Sequence, residues 1–348
     1  MAKILIYSDL HWCEKSSIVT QLGKKYSLRL EHCIDSLNWL HKLAEEKHVD
    51  LIVNCGDVAD RNNLSSMEIT ALQDIKWPEN IPTYIVCGNH EGSVDDLRYN
   101  SAYAFTGKNR ILITKPETIK FNNVELCMLP YITEASRKPI KEYFGNGNIS
   151  KRIIFSHNDI RGEMLNGIES KAGFTVAEFE SIAALTLNGH WHNMRWVDKD
   201  KVLLVGNFVG KDFGEDADKH PHGAWLLDTD TMKLEFFENP YSFNFYKISI
   251  NNKKDFKKCL HLKNNAIIYI SVRDNLVNDL KELLEKQTNI IAYRLVLTHE
   301  LSNEATAQEN VADLRMDYLK RFIDCCKDKL EHTKLLDEEL SKICGGTE

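Results

Sequence analysis

Short, almost unbroken apolar runs alternate with longer stretches of helical spacing through the first hundred residues. Lys3 to Ser8 predicts a strand. Ser27 to His48 predicts a helix, because Leu30, Cys33, Ile34, Leu37, Leu40 and Leu43 recur at intervals of three and four. Asp50 to Cys55 is almost wholly apolar, as expected of a strand covered on both faces of a parallel sheet. Ser65 to Ile75 predicts a helix, Pro82 to Cys87 a strand, and Val94 to Phe105 a further helix. Such a β-α-β-α-β series predicts a layered α/β domain.

The middle of the chain changes period. Glu117 to Phe121, the turn Asn122-Asn123 and Val124 to Leu129 predict a hairpin. Ile132 to Phe144 predicts a helix, and Arg152 to Ser156 and Ala184 to Asn188 predict strands. Arg195 to Val205 and Trp225 to Glu238 predict hairpins. A second, more antiparallel sheet is therefore expected, facing the first, with helices outside. After Pro240-Tyr241, strands at Phe243 to Ile250, Ala266 to Arg273 and Ile290 to Thr298 alternate with helices around Lys254 to Leu260 and Leu276 to Lys286. From Glu304 the chain reads as helix alone, with a stripe through Val311, Leu314, Leu319, Phe322, Ile323 and Leu330. Three segments are thus expected: a large α/β domain over 1–240, a small α/β unit over 241–302, and a helical segment over 303–348.

Composition narrows the class. The 348 residues are 43% hydrophobic and 27% charged, ordinary for a folded chain of this kind. A net charge of -7 counts mildly against a nucleic-acid partner, although bound divalent metal would add positive charge that the count omits. Nine cysteines include no Cys-x-x-Cys pair, and several lie in apolar runs. That usage predicts reduced, buried thiols in a cytoplasmic protein. Ile4 to Tyr7 is too short for a signal peptide, and no run is long enough for a transmembrane helix, so no membrane contact is expected.

Five polar motifs each follow one of the apolar runs. They are Asp9-Leu10-His11, Gly56-Asp57, Gly88-Asn89-His90, Ser156-His157 and Gly189-His190-Trp191-His192. A fold that brings strand ends to one edge would gather carboxylate and amide oxygens with several imidazoles. Mixed donors of this kind suit Mn²⁺, Fe²⁺ or Zn²⁺ better than Ca²⁺. A carboxylate at Asp57, on a sharp turn after glycine, could bridge two ions. Two-metal sites point to phosphoester hydrolysis.

In identity and order these motifs resemble the calcineurin-like metallophosphoesterase superfamily over about residues 3 to 238. The resemblance implies a four-layer α-β-β-α sandwich with a small α/β cap and C-terminal helices. It implies two divalent ions, Mn²⁺ first, with Mg²⁺, Fe²⁺ or Zn²⁺ as alternatives. Asp9, His11 and His192 would hold one ion, Asn89, His157 and His190 the other, and Asp57 both. His90 would be no ligand but would protonate the leaving oxygen, while a hydroxide between the ions attacks phosphorus. Glu91, where many relatives have Asp, would support the histidine beside it.

Within the superfamily, Phe155 to Glu163 resembles the histidine loop of phage-encoded recombination nucleases. Gly206-Asn207 with the loop to Gly223, then Ala224 to Asp228, resembles the bacterial SbcD family, as do the small α/β unit and the helical tail. The resemblance implies a DNA nuclease subunit, exonuclease or endonuclease, working in recombination or repair. It implies an SMC-like ABC ATPase of SbcC type docked on the tail, and it is compatible with a homodimer. For a phage-encoded chain the location would be the host cytoplasm. Arg161, Lys254, Lys257 and Lys258 are candidate phosphate contacts; a salt bridge for Arg161 and a solvated face for the lysines fit about as well.

Two alternatives stand beside the nuclease: a small-substrate phosphoesterase of the same fold, and a DNA-end-binding scaffold with vestigial catalysis. The acid-rich loop Lys211 to His222, with Asp212, Glu215, Asp216 and Asp218, is odd for a surface near DNA. Among the other histidines, His32, His41 and His48 read as packing or surface residues, and His220 and His222 as loop residues. Trp191 reads as packing for its strand end.

Overall fold

The computed structural model describes residues 2–92, 99–165, 168–215 and 217–298. The first part of the chain runs β1 (Lys3–Tyr7), α1 (Leu28–Glu46), β2 (Leu51–Asn54), α2 (Ser66–Ala71), β3 (Thr83–Val86) and β4 (Arg110–Ile113). Next come β5 (Glu117–Phe121), β6 (Val124–Leu129), α3 (Ile140–Phe144), β7 (Arg152–Ser156), the short ribbon β8 (Met164–Leu165) and β9 (Ile168–Glu169), α4 (Val176–Glu180) and β10 (Leu185–Asn188). The hairpins β11 (Arg195–Asp198), β12 (Val202–Leu204) and β13 (Gly223–Asp228), β14 (Lys233–Glu238) follow. Last are β15 (Asn244–Ile250), β16 (Ala266–Val272), α5 (Val277–Glu285) and β17 (Ile290–Leu297).

Two six-stranded sheets form the frame. The first has the order β14-β13-β1-β2-β3-β4, parallel from β1 to β4 with the hairpin β13–β14 antiparallel at one edge. The second has the order β11-β12-β10-β7-β6-β5. It is parallel through β12, β10, β7 and β6, and antiparallel only at its two edges. The expectation that the second sheet is more antiparallel than the first is thus corrected, since each has two antiparallel pairs. Its central strands are buried throughout, with Arg152 to Ser156 and Leu185 to Asn188 all covered, as parallel strands require.

Alternation along the strands separates the layers. Ile4 and Ile6 of β1 face Ile153 and Phe155 of β7 and Leu187 of β10 in a core between the sheets. Leu5 and Tyr7 face the other way, onto Leu30, Cys33, Leu37 and Leu40 of α1. On the outer face of the second sheet, Ile154, Val202 and Leu204 pack against Ile140, Phe144 and Phe179 from α3 and α4. The result is the four-layer α-β-β-α sandwich. The Ser27 side chain accepts from Leu30 N and caps α1, which starts where the expected helix does.

Local expectations fail where backbone chemistry intervenes. Pro139 cannot continue a helix, so Ile132 to Phe144 becomes a 3₁₀ turn at Glu134–Ser136 and then α3. Ser101–Phe105 is also 3₁₀, and residues 94–98 of the expected helix there lie outside the described residues. Lys253–Cys259 is 3₁₀ rather than α-helical, started by an Asn252–Asp255 capping box.

The third sheet, β15-β16-β17, is parallel and covered by Leu280 and Leu284 of α5. It belongs to the same compact unit, Met1–Leu297, as the other two. The helical segment expected over 303–348 lies outside the described residues.

Candidate metal centre

Parallel neighbours end at the same edge of a sheet, which is where α/β folds place their ligands. Asp9 and His11 follow β1, Asp57 follows β2, and Asn89 and His90 follow β3. From the second sheet, His157 follows β7, and His190 and His192 follow β10. The two edges are tied together. His157 Nδ1 lies 2.6 Å from Cys55 O, and Asp9 Oδ2 accepts from His190 N at 3.1 Å. Close approach explains two glycines. Gly56 has φ +99°, and a Cβ there would run into the His157 ring; a Cβ at Gly189 would meet Ser8 Oγ and Cys55 O.

All seven residues of the implied ligand set converge. Asp57 Oδ2 lies 3.2 Å from His157 Nε2 and 3.9 Å from His11 Nε2. His11 Nε2 is 3.8 Å from Asp9 Oδ1 and 3.1 Å from His192 Nε2. On the other side, Asn89 Oδ1 lies 2.9 Å from His190 Nδ1 and 3.2 Å from His157 Nε2. Asp9, His11 and His192 form one group able to hold an ion, and Asp57, His157 and His190 another. Asp9, His11, Asp57 and His190 all adopt positive φ, from 50° to 72°. Such backbone strain in non-glycine residues concentrates at functional sites.

His90 lies at the open side, its side chain 36% exposed, and it is close enough to His11 and Asp57 to form a third group able to hold an ion. Its Nδ1 donates to Asp60 O at 2.7 Å, which leaves Nε2 facing Asp57 Oδ2 at 3.8 Å. Glu91 does not touch His90 directly. It is fully buried and accepts from Gly88 N at 2.6 Å and Ala59 N at 3.2 Å, so it ties together the loops carrying Asp57 and Asn89. Burial, with the Asp57 charge nearby, pushes its pKa up to about 8.

A second ring of residues escaped the sequence reading. Asp60 Oδ1 lies 3.2 Å from His11 Nδ1 and 2.9 Å from Lys211 Nζ. Asp159 Oδ1 lies 3.3 Å from His190 Nε2. Glu215 Oε1 lies 3.2 Å from His192 Nδ1. The acid-rich loop is therefore not all surface: Glu215 is buried behind a candidate ligand, and the doubt it raised about a DNA surface weakens. The signals were present as Asp60 three residues after Asp57 and Asp159 two after His157, but nothing local marks Glu215.

Divalent metal fits this donor set. Asp9 Oδ1 is buried and, among the described residues, has no hydrogen-bond partner. Burial opposes charge on Asp57, yet His157 and His11 around it hold its carboxyl well below the usual range. Burial likewise opposes a charged His157, but Asp57 and Asp9 outweigh it and raise its pKa. A cluster that pulls a proton onto a buried imidazole is a cluster that calls for a cation. Burial holds His11 well below its ordinary pKa, the neutral form a metal needs.

Beside the centre, Met164, Trp191, Asn193, Arg195 and Asp212 line a cleft of about 280 Å³ with His190 and His192. Trp191 is buried in the outer core of the second sheet, as expected. The remaining candidates lie away from these contacts. Arg161 pairs with Glu134 at 2.9 Å on the surface. Lys254 and Lys257 are exposed beside the third sheet, and Lys258 pairs with Asp255 at 2.9 Å. His41 is buried against Trp77, and His222 is buried near Glu215, whereas His220 lies 2.8 Å from Met194 O in its loop. No helix among the described residues is long and apolar enough to cross a membrane. The described cysteines Cys13, Cys33, Cys55, Cys87, Cys127 and Cys259 are free and buried.

Known proteins are similar to this chain in sequence. The family profile of calcineurin-like phosphoesterases matches residues 2–216. A probable exonuclease subunit 1 of Escherichia phage T5 is 26% identical over 57% of this chain and 59% of its own length. The chain thus spans about three fifths of that relative. A DNA double-strand break repair protein Mre11 of Sulfolobus acidocaldarius is 23% identical over 94% of this chain and 97% of its own length. An exonuclease subunit 1 of Enterobacteria phage T4 is 20% identical over 66% of this chain and 65% of its own.

Proposed function

This chain belongs to the calcineurin-like phosphoesterase family, and from that premise we propose that it is a DNA nuclease that hydrolyses phosphodiester bonds with two divalent ions, Mn²⁺ foremost. One observation carries the reading. Asp57 Oδ2 is surrounded by ring nitrogens of His157, His90 and His11 at 3.2, 3.8 and 3.9 Å, the setting of a carboxylate shared between two sites. Substrate class comes from relatives named as exonuclease subunits and as a double-strand break repair protein.

Asp9, His11 and His192 would hold one ion, Asn89, His157 and His190 the other, with Asp57 common to both. Ions held there supply positive charge for the phosphate and favour ionisation of a water near neutral pH. The protein's own part is to orient and to move a proton. The Cys55 carbonyl fixes His157 Nδ1 as the protonated nitrogen, leaving Nε2 toward Asp57. Asp60 O does the same for His90, so it would be the imidazolium form of His90, protonated at both nitrogens, that delivers its Nε2 proton to the leaving oxygen.

The wider assignment follows the same reading. Residues 241–302 would form a cap that touches DNA through Lys254, Lys257 and Lys258, with Arg161 a further phosphate contact. Residues 303–348 would dock on an SMC-like ABC ATPase, and the complex would act in the cytoplasm, that of the host if the chain is phage-encoded. The test is degradation of end-labelled linear DNA by the purified protein with Mn²⁺, beside His90→Ala and an aryl phosphodiester. Loss of DNA with wild type alone supports the nuclease. Hydrolysis of the small ester with DNA intact, even after addition of the ATPase, would favour a small-substrate enzyme.

A further inference from the structure

Glu215 is a buried acid that the reaction outlined above does not use. Burying a carboxylate is costly unless it is paired and hydrogen-bonded. Glu215 is 5% exposed and fully engaged. Oε1 accepts from Asn207 Nδ2 at 2.7 Å, and Oε2 accepts from Lys211 N at 2.8 Å. Oε1 also lies 3.2 Å from His192 Nδ1, on the far side of the ring from the Nε2 that faces Asp9 at 3.9 Å. Asn207 N donates to His192 O at 3.1 Å, so the same residue holds both the carboxylate and the backbone of the histidine.

We propose that Glu215 is the positioning residue for one of the two ions, holding His192 so that Nε2 stays free and aimed at Asp9 and His11. The proposal rests on the two-ion reading and assigns a residue to only half of it. Asp159 plays the matching part on the other half, 3.3 Å from His190 Nε2. Partners that hold the second nitrogen of a ligating histidine fix its tautomer and orientation, and their loss costs about 10–100-fold in metal affinity.

The loop that carries Glu215 is anchored from outside the centre. Phe213 packs edge-on against Phe245 and Tyr269 of the third sheet, at centroid distances of 5.2 and 6.0 Å. Ala217 is buried in that sheet's core. Glu215 therefore stands on a strut between the third sheet and the metal centre.

The experiment is calorimetric titration of the metal-stripped full chain with Mn²⁺, for wild type, Glu215→Gln and Asp159→Asn. Wild type should take two ions. Glu215→Gln should weaken one of them by about 10–100-fold and leave the other unchanged. Adding His190→Ala to Glu215→Gln should then abolish the retained ion. Asp159→Asn should show the mirror image, its retained ion lost on adding His192→Ala. Two unchanged ions in Glu215→Gln, or equal weakening of both, would overturn the proposal while leaving the two-ion reading intact. Fewer than two ions in wild type would overturn that reading and this inference with it. If Glu215→Gln fails to fold, Asn207→Ser takes its place, since it removes one clamp on the carboxylate; the same selective weakening is expected and its absence counts against the proposal.

Discussion

The two sheets bring different chemistry to their common edge. The first sheet contributes Asp9 and Asp57, hard oxygens set on strained turns, and the amide oxygen of Asn89, together with His11 and His90. The second sheet contributes only imidazoles, His157, His190 and His192, and each is held by a partner on its other nitrogen. On the first side three residues, Asp9, His11 and Asp57, sit at φ near +50°, so the backbone does most of the aiming, with Asp60 beside His11 Nδ1. On the second side only His190 has positive φ, at 72°, and Cys55 O, Asp159 and Glu215 hold the far ring nitrogens of the three histidines. A chain can thus build one centre from two devices in different proportions, backbone strain on one side and hydrogen-bonded partners of the rings on the other, and the two should respond differently to substitution.

The largest effect should come from the residue that belongs to both halves. Asp57→Asn removes the one carboxylate common to both proposed sites, so both ions and all hydrolysis should be lost. His157→Ala should instead remove one ion and retain the other, because Asp9, His11 and His192 remain. Equal ion counts for these two variants in a Mn²⁺ titration would break the comparison.

Next in size is His90, which belongs to the first sheet but to neither ion. His90→Ala should lower kcat by about 10²–10⁴-fold, as expected for loss of a general acid, with both Mn²⁺ affinities unchanged. A matching loss of metal affinity would make it a ligand and not an acid.

The smallest effect lies outside the centre. His41 is buried against Trp77, and desolvation lowers its pKa to about 4. Its ordinary value in the unfolded chain is about 6.5. The unfolded chain therefore takes up the proton first, and stability falls as pH drops from 6.5 toward 4, then levels off. The loss attributable to this residue is up to about 3 kcal/mol. Denaturant melts of wild type and His41→Gln across that window check it; parallel pH slopes would refute it.

Much of this was legible in the sequence, for a physical reason. Every proposed ligand follows an apolar run, and a parallel sheet necessarily lines up the ends of its strands, so motif plus period sufficed to assemble the centre. The arrangement of the second sheet was not legible, since the apolar runs of β7 and β10 look the same in parallel and antiparallel pairing. Strand β4 is only four residues long and half exposed, which leaves little periodicity to read. Asp60 and Asp159 stand close in sequence to Asp57 and His157, but holding an imidazole leaves no periodic pattern to single them out, and nothing local marks Glu215. Glu215 shows this best: in sequence it is one acid among several in a loop, and only the tertiary fold puts it behind His192.

The most direct test of the account is an anomalous-scattering map from crystals of the full chain grown with Mn²⁺. Two peaks about 3.5–4 Å apart, with the Asp57 carboxylate between them, are predicted. A single peak, or two peaks of which Asp57 touches only one, would contradict it.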